Sequence, residues 1–377
     1  MIIAINARTL KTVPHDGIGW FTYEVTRGIV SEHPEHHFVL ISDKKYDQPP
    51  VAGDNVEYIT IPMRAFHPLL WYFWHEFLLP GVLRKVKAEL FIAPDGIIPL
   101  RTEVPCIPVI HDLNHEHRPG DIPFCQRVYY RHFFPLFAAK AARTATVSEF
   151  SAADISMTYG ISRDKIDVVP NGVAGLFSPP AEGEAEKTRS EFTGGRPYFL
   201  FVSNFSPRKN VATVIRSYDI FRKENGSDHV LLLVGKRLYL TKEIDRALKA
   251  SMHGSDILFT GSVTRDVLRR LYGAAAALVF VPWFEGFGIP VVEAQRCGTP
   301  CILSGTSSLP EVSGGAALCA GPAGAGAIAS AMARLVSDEA LRHRLSHDGI
   351  INSQRYTWQK ATTAMWDCIM KATSNIQ

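Results

Sequence analysis

The feature that most constrains this chain is a repeated change of rhythm between short apolar runs and longer amphipathic stretches. The runs "IIAINA", "HFVLIS", "NVEYITI", "AELFIAP", "CIPVIHD", "ARTATVS" and "KIDVVPN" fill the first half. Such alternation argues for strand–helix–strand units and a parallel sheet flanked by helices. The rhythm breaks over "VAGLFSPPAEGEAEKTRSEFTGGRP" and then restarts with "YFLFVSN", "HVLLLVG", "DILFTGS", "AALVFVP" and "PCILSG". These later runs are nearly all apolar, as parallel strands covered on both faces must be.

A chain of 377 residues exceeds one ordinary core. The expected architecture is therefore α/β, with two Rossmann-like, doubly wound parallel-sheet domains facing each other across a cleft. Residues 1–175 form the first and 198–355 the second, joined by a linker over 176–197 with room for one short helix. Such sheets bind ligands outside the carboxyl ends of their strands.

Composition narrows the ligand. The 40 basic and 37 acidic residues nearly cancel to a net charge of +3, which leaves no field for nucleic acid, so any anion must be held by local geometry. The six cysteines show no paired spacing and read as reduced thiols of a cytoplasmic protein. "MIIAINARTL" lacks the charged start of a signal peptide, and no run of about 18 apolar residues occurs.

The stretch "FVPWFEGFGIPVVEAQRCGTPCIL" sets Glu285 and Glu293 on either side of Gly286-Phe287-Gly288. Pro290 suits the first position of a helix over "PVVEAQRC", about two turns long, and Gly298 stops it. The glycines then form a strand-to-helix loop whose free backbone N–H groups favour an anion. Carboxylates repel phosphate but accept strongly from neutral hydroxyls. A phosphate centre with polyol ends, as in a nucleotide sugar, satisfies both demands. An ordinary turn with two surface glutamates satisfies the spacing equally, so further motifs must decide.

One is "FVSNFSPRKNVATVIRSY", in which Arg208 and Lys209 follow a strand and precede a helix from Val211. An arginine fork beside a lysine point charge can neutralise a diphosphate. In the first half, Gly17-Ile18-Gly19 precedes a helix starting near Trp20 and makes a poor dinucleotide fingerprint but a plausible flexible loop. His111-Asp112 follows a strand placed beyond Pro108, where histidine can bond a sugar hydroxyl or assist proton movement. His111, His115 and His117 also invite a metal reading, but Pro119-Gly120 points to an irregular loop, and no metal is expected. The segment Phe66 to Phe91 concentrates aromatics ahead of Arg84, Lys85 and Lys87, which suits either a membrane surface or a packed core helix.

Taken in order, "GIGWFTYEV", "VIHDLNHEHRP", "TVSEFSAADI", "IDVVPNGV", "SNFSPRKNV", "LLLVGK", "FTGSV", "PWFEGFGIPVVEAQRCGTPCI" and "SSLPEV" resemble the retaining nucleotide-sugar glycosyltransferases of glycosyltransferase family four, which have the GT-B fold. The resemblance spans nearly the whole chain. It implies that Glu285 contacts the donor sugar, Glu293 the ribose hydroxyls, and Gly286, Phe287, Gly288 and Ile289 the sugar and phosphates. Arg208 and Lys209 would hold the diphosphate, with Gly17 and Gly19 looping over it. His111 would face the reacting carbon, and Asn171 and Gly172 would close the first domain at the cleft. Residues 356–377 would form a helix returning to the first domain. Family enzymes commonly need no metal or other cofactor. The chain departs from the family at "VPWFEG", where Trp283 and Phe284 enlarge the wall before the glutamate, and at "VGKRLY", which lacks a second glycine.

The resemblance implies transfer of a hexose, first mannose from GDP-mannose and alternatively glucose or another hexose from a UDP-sugar. The acceptor would be a hydroxyl of a glycan or lipid-linked oligosaccharide in bacterial surface polysaccharide synthesis, at the inner face of the cytoplasmic membrane. Three rivals stay in play. A glycosidase carboxylate pair leaves the basic loop unexplained, a dehydrogenase lacks the glycine fingerprint, and a non-catalytic sugar-binding protein has little need of His111, Arg208, Lys209 and both glutamates together.

Overall fold

The computed structural model describes residues 1–10, 17–64, 67–238 and 241–374, and its chain divides into two compact units. One comprises Met1–Gly172 with Thr357–Gln377, the other Val173–Tyr356.

In the first unit β1 (Ile2–Asn6), β2 (His37–Ser42), β3 (Val56–Thr60), β4 (Leu90–Ala93) and β5 (Cys106–Pro108) form a parallel sheet in the order β3-β2-β1-β4-β5. The chain thus builds outward in one direction from β1 and then crosses to the other side at β4. Ile3 registers against Phe38 on one flank and Leu90 on the other. Two further strands, β6 (Thr144–Thr146) and β7 (Ile166–Val168), pair with each other, and a Val109–Ala145 bridge ties them to the sheet. Trp74, Leu79, Phe91, Ile98 and Phe137 are buried in its core.

Two boundaries differ from the sequence reading. The strand expected beyond Pro108 instead runs Cys106–Pro108 and includes the proline, which is tolerated because the N–H that bonds β4 is that of Val109, donating to Ala93 O at 2.9 Å. The helix expected near Trp20 already includes Gly17 (Gly17–Glu32), so both glycines lie in its first turn rather than in a loop. Residues 11–16 of that glycine segment, and Phe66 of the aromatic one, lie outside the described residues.

The helix Trp358–Thr373 belongs to this unit and packs along Gly17–Glu32. A Cβ on Gly28 would meet Thr362 Oγ1 at 2.1 Å, so the close helix approach depends on that glycine. Lys371 and Arg143 both pair with Asp167, anchoring the far end.

The second unit contains β8 (Tyr198–Val202), β9 (Val230–Val234), β10 (Ile257–Gly261), β11 (Ala277–Phe280), β12 (Cys301–Ser304) and β13 (Leu318–Ala320). Their parallel order, β10-β9-β8-β11-β12-β13, is that of a doubly wound nucleotide-binding sheet, whose winding reverses between β8 and β11. β8, β9, β11 and β12 are buried at every position, which explains their unbroken apolar sequences. The edge strand β13 escaped the sequence reading because "LCA" is short, only partly buried and set among glycines and alanines.

Residues 176–197 do not lie between the units. They belong to the second, where the helix Glu184–Thr193 is bounded by left-handed Gly183 and Gly194 and packs on the helix Arg265–Ala274. Arg269 pairs with Glu184, and Arg270 with Glu191 at 2.7 Å. The helix buries only Thr188 and Thr193, which is why its polar sequence reads as a linker.

Candidate functional site

The reversal between β8 and β11 brings two loops side by side at the carboxyl ends of these strands. After β8, Pro207–Lys209 makes one 3-10 turn, and Asn210, in the left-handed region at φ 59°, starts the helix Val211–Asn225. After β11, the chain runs through Glu285 and Gly288 into the helix Ile289–Arg296. Cross-bonds fix the loops to each other. Asn210 Nδ2 donates to Val281 O at 2.9 Å and Pro322 O at 2.7 Å, and Trp283 N–H donates to Arg208 O at 2.9 Å.

The charged side chains meet here. Glu285 Oε2 accepts from Arg208 Nη1 at 2.9 Å and Lys209 Nζ at 2.5 Å, while the same arginine nitrogen donates to Phe284 O at 3.0 Å. The three side chains are only 13–21% exposed. Two cations thus share one carboxylate oxygen in a partly desolvated place, where charged contacts count for more than in water. The sequence reading assigned the basic pair and Glu285 to different parts of a ligand. In the structure they form a single cluster.

The glycine loop completes this corner. Gly288 has φ 100°, which disfavours any L side chain, and a Cβ there would meet Leu309 Cδ2 at 2.5 Å. Ser308 Oγ donates to Glu285 O at 2.8 Å and Phe287 O at 3.1 Å. Ser307 Oγ accepts from Glu285 N–H at 3.2 Å, and Ser307 itself holds a left-handed φ of 56°. Strain of this sort at a non-glycine residue persists only where neighbouring structure imposes it, and it often marks a functional loop.

Glu293 lies on the helix that follows Ile289, 9% exposed, and accepts from Tyr272 Oη at 3.1 Å. Burial pushes its carboxyl up to about 7, against the opposing effects of Arg265 and of the tyrosine hydrogen bond. A carboxyl so poised would gain from hydroxyl donors that favour its ionised form.

The remaining predicted residues belong to the first unit. His111 lies just beyond β5, its Nε2 2.9 Å from Pro94 O and its ring edge-on to Phe21 at 5.1 Å. Asn171 is buried, and its Oδ1 has no hydrogen-bond partner among the described residues. Gly172 is required by contact, since a Cβ would meet the Trp358 backbone nitrogen at 2.3 Å. The loop expected around His115 and His117 is instead one helical turn, Asn114–His117, started by Asn114 N–H donating to Asp112 Oδ1 at 3.0 Å. His115 Nε2 lies 2.9 Å from Tyr159 Oη and His117 Nε2 2.7 Å from Asp154 Oδ1, both partners being on the helix Glu149–Tyr159.

Sequence reasoning missed Asn6 and Asp95 in the first unit and Ser307 and Tyr272 in the second. The first two could have been found as the polar residues ending "IIAIN" and following "LFIAP", the strands that flank a reversal of winding. Tyr272 carries no such signal, because only the packed helices bring it to Glu293.

Comparison with known proteins agrees with this geometry. Residues 15–174 match the sequence model of Glycosyltransferase Family 4, and residues 183–350 that of the glycosyl transferases group 1. The chain is 26% identical over 287 residues to O-antigen chain mannosyltransferase B of Escherichia coli, covering 74% of each. It is 27% identical over 280 residues to O-antigen chain mannosyltransferase RfbU of Salmonella typhimurium, covering 72% of each. Against the E. coli serotype-specific mannosyltransferase WbdA the identity is 28%, with 70% of this chain matched to 33% of that longer protein. Among solved structures, sucrose-phosphate synthase from Thermosynechococcus elongatus superposes with a TM-score of 0.79 at 17% identity, covering 99% of both chains. WaaG, a glycosyltransferase involved in lipopolysaccharide biosynthesis, does so with 0.76 at 15%, covering 98% of this chain and 99% of that one. These structures establish the fold, GT-B, and the matched sequence models establish the family: the chain is a glycosyltransferase of the group 1 and family 4 type.

Proposed function

We propose that this glycosyltransferase moves a hexose, with retention at the anomeric carbon, from a nucleoside diphosphate sugar to a hydroxyl of a glycan or lipid-linked oligosaccharide. The observation that carries the reading is the Arg208–Lys209–Glu285 cluster beside the Gly286–Gly288 loop, at the winding reversal of the second sheet. On this reading the acceptor oxygen bonds to the anomeric carbon as the bond to the diphosphate oxygen breaks, and the hydroxyl proton passes to that leaving oxygen. Charge grows on the diphosphate during the step, so Arg208, Lys209 and the loop N–H groups act most strongly in the transition state. This supplies the leaving group with positive charge from the chain itself. His111 would serve the donor sugar from the first, acceptor-side unit, along with Asn171 and the helix start at Gly17 and Gly19.

Mannose is the favoured sugar and GDP-mannose the favoured donor, supported by the O-antigen mannosyltransferases among the relatives. A UDP-hexose is the second reading, supported by a fold neighbour, Anabaena HepE, solved with UDP and glucose. A thermal-shift panel of GDP, UDP and ADP separates them. GDP at a hundredfold excess over its Kd is expected to stabilise the chain by about 2.7 kcal/mol. A larger rise with UDP selects the second reading, and no rise with any nucleotide overturns both.

We further propose that the first unit rests on the inner face of an anionic membrane. Among the described residues no helix is long and apolar enough to cross one. Leu69 and Phe124 are 73% and 67% exposed. Phe73 stacks on Phe77 at 5.2 Å, and Tyr72 joins them to Phe133 at 5.5 Å. Arg101 lies over Phe77, Arg127 over Phe124, and Arg84, Lys85 and Lys87 are exposed nearby in sequence. Aromatics fringed by cations suit an interfacial position. The protein is expected to sediment with phosphatidylglycerol liposomes at low salt and to be released at high salt. Failure to sediment at low salt contradicts the contact.

A further inference from the structure

The first sheet has its own winding reversal, between β1 and β4, and a polar pair spans it. Asn6 is the last residue of β1, and Asp95 lies two residues beyond the end of β4. Asn6 Nδ2 is 3.1 Å from both carboxylate oxygens of Asp95, and its own Oδ1 accepts from Arg8 N–H at 3.2 Å. That second bond fixes the amide with its donors towards the carboxylate. Ile97 N–H donates to Asp95 Oδ1 at 3.3 Å. The asparagine is buried, whereas the aspartate stays partly open to solvent.

Asp95 makes no ion pair among the described residues. The neighbouring guanidinium of Arg8 pairs with Asp43 at 3.4 Å and lies over the Trp74 ring. Burial holds the Asp95 carboxyl above its usual range, with the charge of Arg8 acting the other way. Next to it stands His111, whose ring is bonded to Pro94, the residue before the aspartate. A carboxylate with spare acceptor capacity and a rigid amide behind it is equipped for neutral hydroxyl groups rather than for an anion. Crevices at such reversals are where doubly wound sheets place ligands.

We propose that Asp95, oriented by Asn6, is the hydroxyl-recognition group of a neutral-sugar subsite on the first unit, where it accepts hydrogen bonds from an acceptor saccharide. The proposal rests on the glycosyltransferase reading above and adds the residues by which the acceptor is known. Asn6 is a positioning residue and Asp95 the contact. The alternative role for the pair is to close the turn after β4, in which case sugar binding would be indifferent to it.

The test is saturation-transfer NMR on the full chain with saturating GDP. The probes are the methyl α-glycosides of mannose, glucose, galactose and N-acetylglucosamine. At least one is expected to receive magnetisation from the wild-type protein, and Asp95→Asn is expected to reduce that transfer at least fivefold without changing GDP affinity. Asp95→Ser serves if the amide variant melts markedly lower than wild type. Equal transfer to wild type and variant, or none from the wild type to any of the four, overturns the subsite. Absence of GDP and UDP binding to the wild type is a separate result, which counts against the donor-site reading while the glycoside signals still report on Asp95.

Discussion

Replacing Arg208 and Lys209 together by alanine is expected to lower kcat/KM for sugar transfer roughly 10²- to 10⁴-fold. Each cation makes a charge-assisted hydrogen bond of the kind that contributes about 1.5–3 kcal/mol, and about 1.4 kcal/mol is a tenfold change. The two are bound to the same oxygen of Glu285, so their losses will not add simply. The double change also strips Glu285 of both its cations. The cluster passes from two cations and one carboxylate to a lone, largely buried carboxylate, which repels an incoming diphosphate. Either single variant is expected to lose less, because the remaining cation still neutralises Glu285. Steady-state kinetics with the best donor from the thermal-shift panel measures all three. Wild-type turnover and nucleotide affinity in the double variant would refute the role given to the pair.

Glu293→Gln is expected to change how the nucleotide-free protein responds to pH. The carboxyl titrates near 4.5 in an unfolded chain and near 7 in the fold, where burial disfavours its charge. An acid whose pKa is raised by folding contributes stability that is full below the unfolded value and lost as pH climbs through the folded one. Between pH 5 and pH 8 the wild type should therefore lose roughly 2–3 kcal/mol that the glutamine variant keeps. Tyr272, Arg265 and Cys297 face the same carboxyl and remain in both proteins, so the difference isolates residue 293. Urea unfolding at the two pH values measures it. If Glu293 accepts from ribose hydroxyls, nucleotide affinity should also rise between pH 6 and pH 8 in the wild type beyond any rise in the variant. Identical pH profiles for the two proteins would mean that Glu293 is ionised without cost, contrary to its buried position.

The sheets were legible in the sequence because burial on both faces demands unbroken apolar runs, and such runs survive in "YFLFV", "VLLLV" and "ALVF". The loops were legible for a related reason, since a strand–glycine–helix passage has few alternatives to "EGFGIP". What failed was information carried by packing. The helix Glu184–Thr193 reads as a linker because ion pairs to Arg269 and Arg270, not an apolar stripe, hold it in place. The extension of the first helix back to Gly17 is invisible to propensity, because glycine is penalised inside helices but tolerated in their first turn. The union of Glu285 with Arg208 and Lys209 joins segments more than seventy residues apart and depends on strand order, which no local pattern states. Asp95 was passed over for the same reason, since its meaning comes from lying opposite Asn6.

The most direct measurement is a crystal structure of the chain with GDP or UDP, whichever stabilises it more. The nucleotide's pyrophosphate should lie within hydrogen-bonding distance of Arg208, Lys209 and the amides of Gly286–Gly288, with its ribose hydroxyls on Glu293. A nucleotide seated elsewhere, with both cations still committed to Glu285 and no phosphate beside them, would contradict the assignment.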